Sequence, residues 1–325
     1  MVDTIVNVGF IGAGSLANAM HYPSLHEMKE VHIAAICDLN EERLTATADK
    51  YGVASRFRNY REMLEKVDLD AVYIIMPPHH LFDLVIDCLN AGKHVFIEKP
   101  PGVTAEQTRQ MARCAQRNGV KTMCAFNRRF IPMLVQAKQR VEQYGPILQA
   151  VSTFYKHHLQ EKGAGPYYGG AIDILSCDAV HAVDLLRWMG GGEVIRVASA
   201  VKSLYADYTN FHLALVEFDT GCTGVLLTNW VGGTRVHTFE MHAKGISAFL
   251  NPNDKGYLYA DGQEVPEVWD TREVAGSAET FKYYGFFGEN RHFIDCILHD
   301  REPETNFFDA AKTMELVQAI YHHSW

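Results

Sequence analysis

A glycine-rich turn near the start of the chain constrains the fold more than any other feature. The stretch GAGSLA, residues 12–17, directly follows the apolar run at residues 5–11 and opens a segment of helical composition. In this pattern the first glycine permits a tight turn, the second lets the backbone approach a pyrophosphate, and the small third residue lets the helix pack close to the sheet. Helix N-termini also bind phosphates through their N–H groups. We therefore predict that a dinucleotide binds at Gly12, Ala13, Gly14, Ser15 and Leu16.

The end of the second predicted strand, residues 32–37, carries an acidic residue. Asp38 follows Gly14 at about the spacing of the dinucleotide fingerprint, roughly 20 residues. A carboxylate there can accept hydrogen bonds from both ribose hydroxyls of NAD and repels the additional phosphate of NADP. We predict NAD as the cofactor, with NADP as the alternative. A plainer interpretation stays open, in which the glycines form only a turn and Asp38 caps the next helix.

Strands and helices alternate over the first 125 residues, which is typical of a doubly wound parallel sheet. Beyond Asn127, strand-like runs dominate and show partial apolar alternation. These runs are expected at residues 147–156, 194–201, 211–218, 223–230 and 236–243, with helices at 172–189, 285–299 and 308–322. We predict an α/β dinucleotide-binding domain at residues 1–125 and an α+β substrate domain with a mainly antiparallel sheet at residues 126–325.

The loop after the predicted strand at residues 71–76 lies on the ligand side of such a sheet. Ligands of doubly wound folds bind at the carboxyl ends of the strands. We therefore expect the nicotinamide to be bordered by Met76, Pro77, Pro78 and His80. For the histidines of this loop, a solvated surface position is an equally good interpretation.

Lys99 lies where the apolar strand at residues 94–97 ends and two prolines begin. Alternation along the strand places Glu98 and Lys99 on opposite faces, and we expect both to border the cofactor. The positive charge of an oxidised nicotinamide and partial burial would both favour the neutral amine. Such an amine can hydrogen-bond a hydroxyl that is losing its proton. A surface lysine is the plainer alternative.

The stretch ILSCDAVHAVDLLRW, residues 174–188, places polar groups on an apolar helical face. If residues 172–189 are helical, Asp178 and His181 lie one turn apart and can touch. A carboxylate beside an imidazole orients it and suits it to transfer a proton. The alternative is a core histidine satisfied by Asp178 or Asp184.

Together these motifs resemble the Gfo/Idh/MocA family of oxidoreductases, which includes glucose–fructose oxidoreductase and inositol dehydrogenase. The resemblance spans nearly the whole chain and rests on GAGSLA, Asp38, AGKHVFIEKP (91–100), FNRRF (126–130) and the GG…H-x-x-D-x-x-x-W pattern from Gly169 to Trp188. It implies a Rossmann domain, a second domain with an open-faced sheet, and reversible oxidation of a sugar or polyol hydroxyl. It also implies a catalytic lysine at Lys99 and an acid–base histidine at His181.

The chain departs from the family pattern in two places. Cys177 stands where many members carry an aspartate four residues before the histidine, so Asp178 or Asp173 is the candidate carboxylate. Leu81 stands where many members carry a histidine in the loop after the third main strand, with His80 just before it.

Further side chains that could hold a substrate occur early in the second domain. Arg128 and Arg129 follow a strand end and could bind a carboxylate or phosphate, although arginines also brace domain interfaces. His157 ends a strand, and Tyr168 could stack on a sugar ring. The predicted catalytic residues are Lys99, Asp178 and His181; the predicted substrate-binding residues are Lys99, Arg129, His157, Tyr168, Asp178 and His181. Loops around residues 157–170 and 230–240 should shape the pocket.

The composition excludes several classes of function. The net charge of −9 argues against a general nucleic-acid-binding surface, and no apolar run approaches the ~18 residues of a membrane span. The N-terminus lacks the features of a signal peptide, and seven scattered cysteines without a C-x-x-C pair fit reduced thiols in the cytoplasm. The His-His pairs lack metal-site spacing, so we expect no metal.

We therefore predict a cytoplasmic NAD-dependent dehydrogenase that acts on a small sugar, sugar derivative or polyol. A homodimer or homotetramer is expected because an open-faced sheet needs covering. Two alternatives remain: an NAD-dependent enzyme that cleaves glycosides through transient oxidation without net redox change, and a non-catalytic dinucleotide-binding sensor.

Overall fold

The chain folds into two units, and each unit is built from two separate stretches of the sequence. The computed structural model describes residues 5–157 and 166–323. The first unit comprises residues 1–127 and 279–311, and the second comprises residues 128–278 and 312–325. The predicted division after residue 125 lies close to the first junction. Residues 279–311 belong to the first unit, whereas the prediction placed them in the second domain.

The first unit contains a six-stranded, fully parallel sheet in the order β3-β2-β1-β4-β5-β6. Its strands are β1 Val6–Ile11, β2 Val31–Cys37, β3 Ser55–Phe57, β4 Ala71–Ile74, β5 His94–Ile97 and β6 Thr122–Cys124. All four residues of the central strand β4 are buried, as expected when helices cover both faces of a parallel sheet. This is the predicted doubly wound sheet.

The helices of the first unit begin and end at residues whose chemistry explains the boundaries. They are Tyr22–His26, Glu41–Tyr51, Tyr60–Lys66, Leu81–Asn90, Ala105–Asn118, Thr280–Tyr283 and Phe286–Leu298, with a π-helical turn at Ala17–His21. The Thr104 side chain caps Ala105–Asn118 by accepting a 3.2 Å hydrogen bond from the Gln107 N–H, as predicted. Gly119 ends this helix in the left-handed conformation.

The second unit contains an eight-stranded sheet in the order β14-β13-β12-β11-β7-β10-β9-β8. Its strands are β7 Gln149–His157, β8 Val194–Lys202, β9 Phe211–Phe218, β10 Thr223–Asn229, β11 Val231–Ala243, β12 Ile246–Leu250, β13 Lys255–Ala260 and β14 Glu267–Asp270. Neighbours are antiparallel except for β7 and β10. The mainly antiparallel sheet was predicted, whereas β12 to β14 were not.

One face of the second sheet is covered by helices and the other is open. The helices of this part of the chain are Pro132–Glu142, Tyr167–Gly170, Ile174–Cys177, Val180–Gly190, Thr271–Ala275 and the final helix Phe307–His322. Val180–Gly190 packs on β7 and β10, and Pro132–Glu142 packs on β11 and β12. Along β9 every second residue is buried, and Leu215 on the other face is 48% exposed.

The single helix predicted over residues 172–189 is wrong. The structure has two helical segments, Ile174–Cys177 and Val180–Gly190, separated at Asp178 and Ala179. Asp173 caps the first segment by accepting hydrogen bonds from the Ser176 N–H and hydroxyl, and Asp178 is the residue that ends this segment. In the described part of the chain, no helix has both the length and the apolar character needed to cross a membrane.

Candidate active site

The two glycines of the turn after β1 lie in different surroundings. Gly12 has φ +114° and donates a 2.8 Å hydrogen bond to the Cys37 carbonyl. A Cβ at Gly12 would lie 2.4 Å from the carbonyl oxygen of Ile75, so only glycine fits. A Cβ at Gly14 would meet no atom within 4 Å. Gly14 thus faces open space at the start of a helix, which fits the approach of a dinucleotide phosphate.

Asp38 is tied to the glycine turn rather than to the following helix. One carboxylate oxygen accepts a 2.7 Å hydrogen bond from the Ala13 N–H, and the other accepts a 2.7 Å hydrogen bond from the Asn40 N–H. Asn40 itself caps Glu41–Tyr51 through the Arg43 N–H. Each carboxylate oxygen retains a further lone pair, so Asp38 can still accept hydrogen bonds from ribose hydroxyls.

The loops after β4 and β5 lie at the same edge of the sheet as the glycine turn, because all these strands are parallel. Met76 and Pro77 are half-buried, Pro78 is buried, and His80 is exposed at the end of a short 3₁₀ turn. Lys99 is half-buried two residues beyond the end of β5. The structure therefore brings the predicted cofactor-binding segments of the first unit to one edge.

A buried hydrogen-bond chain supports the backbone at Lys99. Its N–H donates a 3.0 Å hydrogen bond to one oxygen of the Glu98 carboxylate, and His21 Nε2 lies 3.0 Å from the other oxygen. The Asn290 amide donates to the Phe286 carbonyl at 2.7 Å and to His21 Nδ1 at 3.2 Å. His21 Nδ1 is thus the acceptor, and Nε2 donates to Glu98. This chain fixes the position of Glu98 and hence the start of the Lys99 loop.

In the second unit, the structure places an arginine against the predicted acid–base histidine. Arg128 Nη1 lies 2.7 Å from His181 Nε2. Both residues are nearly inaccessible, with 7% of Arg128 and 3% of His181 exposed. The sequence placed Arg128 near a strand end but did not connect it with His181.

The two candidate carboxylates near His181 have different partners. Asp178 accepts hydrogen bonds from Lys156 and, at 2.9 Å, from the Tyr167 hydroxyl. Asp173 accepts a 2.6 Å hydrogen bond from the Tyr321 hydroxyl in addition to its capping bonds. Asp173 thus serves to cap a helix, whereas Asp178 is bound by the side chains of Lys156 and Tyr167.

Three residues that were predicted to bind the substrate lie in surroundings that the sequence did not indicate. The Arg129 guanidinium donates two hydrogen bonds, at 2.8 and 2.6 Å, to the buried carboxylate of Asp184, so Arg129 braces the interior of the unit. His157 is exposed and, by alternation, points to the opposite face of β7 from Lys156. Tyr168 is half-exposed with φ +54°.

Sequence reasoning missed one residue of this region, Lys156. Alternation along β7 offered a signal, because Lys156 is two residues after the fully buried Phe154 and therefore shares its face. Tyr167 was considered with Tyr168 as a side chain that could stack on a sugar ring, but its hydrogen bond to Asp178 was not indicated by the sequence. Residues 158–165, which include part of the predicted pocket loop, lie outside the described residues.

The comparisons with known proteins agree with this geometry. Residues 6–126 match a family model described as an oxidoreductase family with an NAD-binding Rossmann fold. The chain is 25% identical over 228 residues to the uncharacterized oxidoreductase YrbE of Bacillus subtilis (strain 168), covering 67% of this chain and 65% of that protein, slightly less than two thirds. It is 24% identical over 302 residues to scyllo-inositol 2-dehydrogenase (NAD(+)) of the same organism, covering 87% and 84%.

A solved structure shares the fold over almost the whole chain. Levoglucosan dehydrogenase, in complex with NADH and levoglucosan, superposes with a TM-score of 0.84 at 20% identity and covers 99% of this chain and 97% of that one. The matches and the glycine turn at the edge of a parallel sheet agree on an NAD-binding Rossmann fold for residues 6–126. Residues 6–126 thus resemble the Gfo/Idh/MocA family, whose model they match.

Proposed function

We propose that the protein is an NAD-dependent dehydrogenase that reversibly oxidises a secondary hydroxyl of a sugar, sugar derivative or polyol. The observation that carries this proposal is the half-buried Lys99 at the cofactor edge of the parallel sheet, held by the buried chain through Glu98 and His21. The inositol and levoglucosan dehydrogenases named above support the substrate class. NADP remains the alternative cofactor.

The proposed chemistry divides between a few side chains. NAD, when bound at the glycine turn, supplies the acceptor for the hydride of the carbinol carbon. His181 takes the hydroxyl proton, and Lys99 stabilises the oxygen on which negative charge develops. Asp178 orients the groups around His181 through its hydrogen bonds to Lys156 and Tyr167.

Replacing Lys99 tests the proposal. In Lys99→Met we expect kcat to fall by roughly 10²- to 10⁴-fold, because the amine acts on the developing charge, while NADH affinity is retained. The measurement is reduced-cofactor absorbance with a panel of polyols, aldoses, glycosides and sugar acids, together with NADH fluorescence titration. Lys93→Met is the matched control, since Lys93 lies at the opposite end of β5, where it donates to the Leu69 carbonyl.

The panel also separates the proposal from its alternatives. Near-normal turnover in Lys99→Met would remove Lys99 from the mechanism. Release of an aglycone from glycosides without accumulation of NADH would replace the dehydrogenase by a glycoside-cleaving enzyme. NADH binding without either reaction would favour a sensor.

We also infer a homo-oligomer and a cytoplasmic location. Support for the oligomer comes from the open sheet face, where Leu215, Phe249 and Tyr257 are between 39% and 48% exposed, because such a face is stabilised by a second copy. Support for the location comes from the seven cysteines, which are all buried and outside disulfides.

A further inference from the structure

The helix that follows the glycine turn contains a π turn in its middle. The helix runs over residues 15–26, and within it the Tyr22 N–H donates to the Ala17 carbonyl, five residues back. Short π turns inside α-helices are frequent at functional sites. The additional residue rotates the side chains that follow it by about 100° around the axis, one residue's share of a helical turn. The π turn thus sets the directions of His21 and Tyr22.

Two side chains of this helix bind the backbone of the glycine turn. Asn18 Nδ2 donates to the Ala13 carbonyl at 3.0 Å and lies 3.2 Å from the Gly14 carbonyl oxygen. The Tyr22 hydroxyl, on a fully buried side chain, donates to the Gly12 carbonyl at 3.3 Å. These hydrogen bonds join the turn to the helix, so a dinucleotide that binds the turn is also fixed relative to the helix.

His21, the residue next to Tyr22, binds the Lys99 loop instead. Its Nε2 donates to one oxygen of Glu98 at 3.0 Å, and the other oxygen accepts the Lys99 N–H at 3.0 Å. His21 is fully buried and Glu98 is only 5% exposed, so water is a poor replacement for His21 as a donor. The backbone of Lys99 is therefore held to the same helix as the glycine turn, and all these residues belong to the first unit.

Asn290 determines which nitrogen of His21 carries the proton. Its amide nitrogen donates to His21 Nδ1 at 3.2 Å, and both side chains are fully buried. A neutral imidazole accepts at one nitrogen and donates at the other. Asn290 therefore directs the Nε2–H of His21 to Glu98. The opposite tautomer would place a lone pair of Nε2 against the carboxylate, which is repulsive.

We propose that His21 and Asn290 are positioning residues that hold Lys99 in register with the bound cofactor. This inference rests on the proposed function, in which the Lys99 amine stabilises the oxygen on which negative charge develops. The helix over residues 15–26 fixes the dinucleotide at its N-terminus and fixes Lys99 through His21 and Glu98. One rigid element thus sets the distance between cofactor and amine, and a displacement of about 1 Å between reacting groups can lower a rate about 100-fold.

Two variants of His21 test its hydrogen bond to Glu98. In His21→Leu, which lacks the donor, we expect kcat to fall about 10- to 100-fold while NADH affinity changes less than about threefold. His21→Gln places an amide N–H near the position of Nε2–H and should recover most of the lost kcat. His26→Leu is the matched control, since His26 is exposed on the same helix. A purely structural role would lower the unfolding midpoint and leave kcat per folded molecule unchanged.

Further variants show whether His21 acts through Glu98. Glu98→Gln keeps the shape of the side chain and an oxygen that can accept the Lys99 N–H. The double variant His21→Leu/Glu98→Gln should then lose no more kcat than the more impaired single variant. Asn290→Ala keeps His21 and Glu98 in place but no longer fixes the tautomer, so it should lower kcat less than His21→Leu does. It also tests the proposal if His21→Leu does not fold.

Amide hydrogen exchange reports on the Lys99 backbone without turnover. The Lys99 N–H is bound by Glu98, and the prolines at positions 100 and 101 carry no N–H, so a peptide over residues 98–102 reports chiefly on Lys99. In the NADH complex, exchange at this amide should be about tenfold faster in His21→Leu than in the wild-type protein. In His21→Gln and His26→Leu it should match the wild-type protein.

The outcomes separate this inference from the proposed function. Faster exchange at Lys99 in His21→Leu, restored in His21→Gln, would support the positioning role even in a protein that oxidises no sugar or polyol, and only the dehydrogenase would then be overturned. Wild-type kcat in His21→Leu, an equal loss in both His21 variants, or losses that add in the double variant would overturn the positioning role. Unchanged exchange at Lys99 in His21→Leu would do the same.

Discussion

Gly12 and Gly14 are two residues apart in one turn, yet different neighbours constrain them. Gly12 has φ +114°, and an added Cβ would lie 2.4 Å from the Ile75 carbonyl oxygen. The fold itself therefore requires glycine there. An added Cβ at Gly14 meets nothing within 4 Å, so within the protein nothing excludes a side chain. The need for glycine at this position arises only when a phosphate approaches the backbone.

Alanine at these two positions should separate folding from cofactor binding. For Gly14→Ala we expect a change in unfolding free energy of less than about 1 kcal/mol and a loss of NADH affinity of roughly tenfold or more. Gly12→Ala should lower the unfolding temperature, because the backbone and the Ile75 carbonyl must shift. Calorimetry and NADH fluorescence titration measure the two effects. Unchanged NADH affinity in Gly14→Ala would contradict the assignment of this turn.

Among the elements, strand β9 carries a histidine whose protonation opposes folding. His212 Nδ1 lies 2.8 Å from the Thr228 hydroxyl on β10, and Nε2 lies 3.3 Å from the Tyr321 hydroxyl. The Tyr321 proton is donated to Asp173, so His212 Nε2 donates and Nδ1 accepts. Burial lowers the pKa of His212 to about 4 against an opposing effect of Asp173.

This histidine predicts how the stability of the second unit depends on pH. The folded pKa is below the unfolded value, so unfolding takes up a proton as the pH falls. The contribution of neutral His212 to the free energy of unfolding is complete above pH about 6.5. It is lost as the pH falls to about 4, which lowers the free energy of unfolding by about 3 kcal/mol. In His212→Gln, which keeps polar atoms but does not titrate, the unfolding midpoint should fall less over this range.

Tryptophan fluorescence is a suitable readout, because three of the four tryptophans, at residues 188, 230 and 269, belong to the second unit. If the wild-type protein and His212→Gln lose stability in parallel between pH 6.5 and 4.5, His212 does not carry the dependence. Burial also lowers the pKa of His237. The unfolding midpoint of His212→Gln is therefore expected to keep a weaker dependence on pH.

For the molecule as a whole, the second sheet leaves one face uncovered by its own helices. Leu215 on β9, Phe249 on β12 and Tyr257 on β13 are 48%, 39% and 39% exposed. These strands lie in one continuous sheet, so the partly exposed apolar side chains form a broad surface. Apolar surfaces of this kind on folded proteins commonly serve as interfaces.

A charge on this face should dissociate the proposed oligomer. We expect Leu215→Arg to shift the protein to a monomer in analytical ultracentrifugation, because the buried guanidinium would have no partner. Val265→Arg is the control, since Val265 is 78% exposed in the turn between β13 and β14. A wild-type protein that sediments as a monomer, or an unchanged oligomer in Leu215→Arg, would refute this interface.

Local patterns were sufficient for most of the first unit. The glycine turn, the alternation of apolar strands with capped helices, and Thr104 three residues before Gln107 each act over a few residues, so the sequence alone indicates them. The prediction of a single helix over residues 172–189 failed because contacts with residues outside the helical pattern decide where the helix breaks. Its apolar periodicity continues through the break, while the Asp178 carboxylate is bound to Lys156 and Tyr167, partners that the helical pattern does not reveal.

The sequence by itself determined the class of fold, the dinucleotide turn and the candidate residues Lys99 and His181, because these depend on short motifs and on strand and helix periods. Tertiary structure alone decided which groups meet. Asn290, far along the chain, reaches His21 behind Glu98, and Arg128 rather than Arg129 contacts His181. Hydrogen bonds between residues distant in sequence leave no periodic signal, so only the packed chain reveals them.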